Sequence, residues 1–168
     1  MLRFFIEIIG MINNCSGGGK MDIDELDKKI LNALIDDSRQ SYRHIAKKLK
    51  VSVVTVMNRV KALERGKMIK KYTTLVNYEQ LGYGFLVIIN ARISKGKEFD
   101  VEKKLSLEEN IFAVYDVTGE FDIEIIAKFK NRQSLDGFVK RLQTLEFVER
   151  TNTILILNSL KEEPIKVV

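Results

Sequence analysis

Apolar residues recur at spacings of three and four from Ile23 to Leu63, whereas beyond Gly84 they alternate one in two. That change of period predicts a helical unit followed by a unit built on strands. In the first, Ile23, Leu26, Ile30 and Leu34 stripe one helix that Asp24 is placed to cap. The polar run 36–41 interrupts it. Tyr42, Ile45, Ala46 and Leu49 then mark a second helix over 41–50. Val51 and Ser52 make a turn, with Ser52 as the next cap, and Val53, Val56, Val60 and Leu63 stripe a third helix. Gly66 is expected to end that helix in a left-handed turn. Residues 68–76, carrying Lys70, Lys71, Thr73 and Thr74, are expected to form a β-wing. Together these elements predict a winged helix-turn-helix over 21–76.

Residues 77–84, with Gly82 and Gly84 as breakers, form a connector. The alternation of Phe85, Val87, Ile89, Ala91 and Ile93 then predicts a strand. A helix over 97–109 burying Val101 and Leu105 follows, then strands over 111–118 and 121–129 joined by a tight turn at 118–120. Asn131 opens a helix striped by Leu135, Phe138, Val139 and Leu142, and 146–157 reads as the last strand. The order βαββαβ over 85–160 is the ferredoxin-like split unit, with 161–168 as a tail, so the whole chain is α+β. Two helices cover one face of such a sheet. Leu86, Ile88, Val114 and Ile126 are expected on the other, and an uncovered apolar face predicts sheet-to-sheet pairing of two copies.

Composition narrows the function. Residues 1–20 lack this patterning: an apolar run broken by Arg3, Glu7 and Gly10 leads into Gly17-Gly18-Gly19. It matches a signal peptide poorly and is expected to be a flexible extension, with Met21 a candidate start. No apolar run approaches bilayer length. One cysteine, Cys15, and one histidine, His44, give neither a disulfide framework nor a soft metal-ligand set. A cytoplasmic protein without metal or cofactor is expected. The net charge of +5 is uneven: from Arg39 to Lys71 there are eleven basic residues and one acid, Glu64. That stretch is therefore +10 and the remainder −5.

A basic surface on a helix-turn-helix points to double-stranded DNA. The third helix keeps one face for the core and offers Ser52, Val54, Thr55, Asn58 and Arg59 to base edges in a major groove. Arg39, Ser41, Arg43, Lys47, Lys61, Lys70 and Lys71 are the candidates for phosphate contact, which fixes register without reading sequence. An ordinary three-helix bundle accounts for the stripes but not for this exposed polar face. An architectural, chromatin-like DNA binder is the alternative. For enzymatic chemistry the sequence offers no catalytic set: no Ser/His/Asp group, phosphate loop or paired histidines.

Five separate pieces, in register, resemble the leucine-responsive and asparagine-regulator (Lrp/AsnC) transcription factors from Ile23 to about Leu160. They are Ile23-Asp24-Glu25-Leu26-Asp27 with Ile30-Leu31; Asp37-Ser38-Arg39-Gln40-Ser41 with Ile45-Ala46; Ser52-Val53-Val54-Thr55-Val56 with Arg59-Val60, Leu63-Glu64, Gly66 and Ile69; Gly119-Glu120-Phe121-Asp122; and Thr151-Asn152-Thr153. The resemblance implies a sequence-specific regulator, dimeric through the βαββαβ unit and often tetrameric or octameric, that binds pseudo-palindromic DNA. It also implies a free amino acid as effector. Carried over position by position, the effector region is Thr118, Gly119, Glu120, Phe121 and Asp122, with Thr151 and Thr153 behind them. Asp122 is the expected acceptor for an α-amino group. The plain alternative for Gly119, Phe121 and Asp122 is turn structure. Some haem-pathway decarboxylases resemble the same two-domain layout, but they would require a pocket histidine or arginine, and His44 lies in the other half.

Overall fold

The computed structural model describes residues 22–94, 104–105 and 108–168. The extension expected over 1–20 lies outside them. The chain divides into two compact units, one running to Thr74 and also taking in Glu163–Val168, the other spanning Leu75–Glu162.

In the first unit, α1 (Glu25–Asp36) begins at Asp24 with a reciprocal cap. The Asp24 carboxylate accepts the Asp27 N–H at 2.9 Å, and the Asp27 carboxylate accepts the Asp24 N–H at 3.3 Å. Two N–H groups left over by the helix are thereby satisfied. α2 (Tyr42–Leu49) starts on Ser41, whose hydroxyl accepts the His44 N–H, and stops where Lys50 turns left-handed at φ 57°. α3 (Val53–Arg65) is capped by Ser52. Ile30, Ile45, Val56, Val60 and Leu63 close completely over one another, with Leu31, Ala33, Leu34 and Ala46 beside them. Each large side chain contributes about 1.5–3 kcal/mol on burial, which holds three helices that are individually too short to persist.

Three expectations for this unit change. Val53 is not core: it is 43% exposed, because the packed part of α3 begins at Val56. Gly66 closes α3 at an ordinary φ of −73°, and the left-handed residue is Lys67, at φ 55°. There the Lys67 and Met68 N–H groups return to the Glu64 and Leu63 carbonyls. The expected β-wing over 68–76 pairs with no strand among the described residues, and Lys70 to Val76 are all exposed. A segment of strand-like composition forms a ladder only where another edge meets it.

The second unit is a four-stranded antiparallel sheet in the order β2-β3-β1-β4, with β1 (Phe85–Ile93), β2 (Ile111–Asp116), β3 (Ile123–Phe129) and β4 (Val148–Ile156). The helix α4 (Arg132–Gln143), capped by Asn131, lies between β3 and β4 in sequence. Val87, Ile89, Ala91, Ile123, Ile125, Ala127 and Phe129 are wholly buried on the helix side, with Phe138 and Leu142 of α4 against them. Of the helix expected over 97–109, Lys104 and Leu105 are helical and Leu105 is buried. The remainder, Val101 included, lies outside the described residues.

On the opposite face stand Leu86, Ile88 and Ile126, half-buried, with Ile88 flanked in register by Ile126 of β3 and Ile154 of β4. Val114 is not among them. The pairing of β2 with β3 slips between Ile111 and Ala113, and Val114 comes opposite Ile125 on the core side. One extra residue inverts the alternation beyond it. Phe112, at the slip, is left 60% exposed.

Candidate functional site

The first candidate surface is built on α3. At its start the Ser52 hydroxyl accepts the Thr55 N–H at 3.0 Å and bonds the Thr55 hydroxyl at 2.8 Å. Ser52 and Thr55 thus organise the N-terminal turn, the end of a helix that best accommodates phosphate and base acceptors. Val54, 59% exposed, is followed at helical spacing by Asn58, Lys61 and Arg65, all exposed. Asn58 and Lys61 have no hydrogen-bonded or ionic partner among the described residues, and they line a shallow concavity with Glu64 and Arg65. An asparagine in that position is free to make the paired donor and acceptor contacts that an adenine edge offers. Arg65, not singled out in the sequence, extends the same row by one turn.

Arg59 is placed differently. Its guanidinium pairs with Asp27 at 3.0 Å and with Asp24 at 2.8 Å, and Asp27 is 2% exposed. The arginine expected to read bases is engaged in joining α3 to the start of α1. Its partner lies thirty-two residues earlier in the chain, beyond what spacing along one helix reveals.

Among the phosphate candidates, Arg39, Arg43, Lys47, Lys61, Lys70 and Lys71 are all exposed. Arg43 and Lys47 lie one turn apart on α2, and Ser41 caps that helix. The acid in this basic stretch, Glu64, accepts a hydrogen bond from the Tyr72 hydroxyl at 2.9 Å. Partial desolvation of an otherwise exposed side chain, with that bond second, pushes the Tyr72 hydroxyl up to about 12. Tyr72 therefore stays a neutral donor across the ordinary pH range.

The second candidate is the turn between β2 and β3. Gly119 sits at φ 130°, a conformation that favours glycine. The turn is closed by the Val117 N–H donating to the Asp122 carbonyl and the Asp122 N–H donating to the Ala91 carbonyl. An open cavity of about 620 Å³ lies beside it, lined by Asn90, Asp116, Val117, Thr118, Glu120, Phe121 and Glu124. The Glu120 carboxylate pairs with Arg150 at 2.8 Å, and the same guanidinium lies 5.7 Å from the Phe121 ring centroid.

Of the residues expected around an effector, Thr118, Glu120 and Phe121 line this cavity, and Gly119 shapes the turn. Asp122 does not line it: one of its carboxylate oxygens accepts the Ile93 N–H at 2.8 Å, tying the turn to the end of β1. Thr151 and Thr153 pair with Ala91 and Ile89 and so share the helix-covered face, whereas Asn90 and Glu124 face the other way. The Thr151 hydroxyl accepts from the Gln143 amide at 2.7 Å. Asn90, Asp116 and Glu124 were not anticipated. Asn90 and Glu124 face each other across β1 and β3, a neighbourhood that register sets and local motifs do not.

The family model for the AsnC-type helix-turn-helix domain matches residues 23–64, and that for the Lrp/AsnC ligand binding domain matches 86–165. A protein of Pyrococcus furiosus named as an HTH-type transcriptional regulator is 46% identical over 143 residues, 85% of this chain and 97% of that one. Among solved structures, AsnC of E. coli superposes with a TM-score of 0.81 at 27% identity, covering 88% of this chain and all of that one. A transcriptional regulator of Neisseria meningitidis, solved in complex with L-methionine, has a TM-score of 0.81 at 23% identity, covering 84% of this chain and 94% of that one. At that identity the second structure speaks to the fold.

Proposed function

This chain belongs to the Lrp/AsnC family of transcriptional regulators, and we propose that it reads a two-fold-related DNA site through the exposed row of α3. The observation that carries this reading is that row, Val54, Asn58 and Lys61 beyond the Ser52–Thr55 cap, set among exposed basic residues. Asn58 and Val54 address base edges. Lys61 and Arg65 reach phosphates, together with Arg39, Arg43, Lys47, Lys70 and Lys71 from the rest of the unit. Arg59 acts indirectly, by holding α3 against α1. No helix among the described residues is long and apolar enough to cross a membrane, and the site of action is the DNA of the cytoplasm.

Two copies pair through the open sheet face, so that Leu86, Ile88, Ile126 and Ile154 are removed from water. Isologous pairing presents two reading heads to a site with matching symmetry. The effector is a free amino acid bound beside the 118–121 turn. Its ammonium is held by the carboxylates of Asp116, Glu120 and Glu124, and its carboxylate by Asn90 or Arg150. That surplus of acid disfavours acidic side chains and favours basic ones. A ligand alters DNA binding only as far as its affinity differs between two states of assembly.

The test is selection of bound duplexes from a random pool, repeated with each amino acid present. The expected outcome is a pseudo-palindromic consensus whose recovery changes with lysine or arginine and not with aspartate or glutamate. Recovery without a consensus overturns sequence-specific reading. A consensus indifferent to every amino acid overturns the effector assignment alone.

A further inference from the structure

The last residues of the chain leave the sheet unit that they follow and complete the helical one. Residues Glu163–Val168 group with α1–α3, so the chain passes between its two units twice. The docking is specific. The Asn32 amide of α1 donates to the Val167 carbonyl at 2.8 Å, and its oxygen accepts the Val167 N–H at 2.8 Å. One half-buried side chain thus satisfies both backbone groups of a single residue. The Val167 side chain packs onto the helical core, and the Lys166 ammonium pairs with Asp36. General stickiness does not explain this contact, because Leu160, Ile165 and Val168 are at least 89% exposed while Val167 alone is taken in.

We propose that residues 163–168 form a second tether that positions the reading head, with Asn32 and Val167 as its positioning residues. A head held by one connection explores many orientations, and binding both halves of a DNA site must select among them. A second closure removes most of those orientations before DNA arrives. The gain appears only when two heads engage together, since a single head needs no fixed partner. This role rests on the paired-head reading given above.

The test uses the full chain and two readouts. The first needs no DNA: hydrogen exchange at the Val167 N–H, slow in the parent protein and at least about tenfold faster in Asn32→Ala, since its acceptor is gone. The second is affinity for duplexes bearing one half-site, or two half-sites at separations stepped by one base pair. The parent should favour one separation. Asn32→Ala should lose about tenfold there through lost preorganisation, bind neighbouring separations almost equally, and keep its half-site affinity. Val167→Asp, which leaves α1 intact, should repeat the result if Asn32→Ala weakens the helix.

Slow exchange in Asn32→Ala overturns the docking. An unchanged separation profile despite fast exchange overturns the tether. A loss at the half-site equal to that at the paired site also overturns it, in favour of a merely structural role. A parent protein with no preferred separation contradicts the paired-head reading, and the tether's task with it, while the exchange result still reports the docking on its own.

Discussion

Arginine and asparagine one position apart on α3 have opposite assignments, and substitution separates them. Asn58 is exposed with no partner among the described residues, whereas Arg59 neutralises an Asp27 that water scarcely reaches. Asn58→Ala should cost about 1–3 kcal/mol at the selected DNA site, with its denaturant midpoint unchanged. Arg59→Ala leaves a buried carboxylate uncompensated. It should lower unfolding stability by about 2–4 kcal/mol, under the full cost for a buried pair because the arginine side chain is itself 40% exposed. A similar distinction holds at the turn. Asp122→Ala breaks a charged hydrogen bond to Ile93 and should destabilise the sheet unit by about 1.5–3 kcal/mol, while Glu124→Gln should weaken amino-acid binding in calorimetry without a stability loss. The sequence made Asn58 legible because helical period fixes which residues share a face. It hid the roles of Arg59 and Asp122, whose partners are set by packing between elements.

At the scale of elements, helix N-caps and most of each apolar stripe were legible because they are local, whereas Val53 and the Gly66 cap departed from the pattern. Asp24, Ser52 and Asn131 each open the helix expected to begin there, and Ser41, expected within the second helix, caps it instead. The structure departs from the sequence pattern where a neighbouring element decides. The slip in β2 turned Val114 inward, and the segment after α3 has no strand to pair with among the described residues. The α1 cap also carries a pH dependence. The Asp27 backbone N–H, helped by Arg59 and opposed by desolvation, holds the Asp24 carboxyl below the usual range. A carboxyl with a depressed folded pKa stabilises fully above its unfolded value, and the contribution disappears as pH falls through the folded one. Asp24→Ser keeps the cap but removes the titration. Thermal melts from pH 7 downward should therefore show the parent losing stability below about pH 4 more steeply than Asp24→Ser, and identical slopes would contradict this.

For the whole molecule, the two-unit plan was legible in the change of hydrophobic period from helical to alternating. The return of residues 163–168 to the helical unit was not, since one valine and one lysine in a short tail form no pattern. The open sheet face has a direct consequence for assembly. Ile126→Asp places a charge on that face, beside Ile88 in register, and should convert the proposed dimer to monomers in light scattering. Those monomers should bind paired DNA sites weakly through loss of avidity. Regulation by this protein, as proposed, turns on the exposed row of α3 reading base sequence. Equilibrium titration of parent protein and Asn58→Ala against the selected duplex and a scrambled one, at one fixed salt concentration, tests it most directly. The parent should prefer the selected duplex by about a thousandfold or more. Asn58→Ala should lose at least about tenfold on that duplex alone. Equal affinity of the parent for both duplexes, or an equal loss on both in the variant, would contradict it.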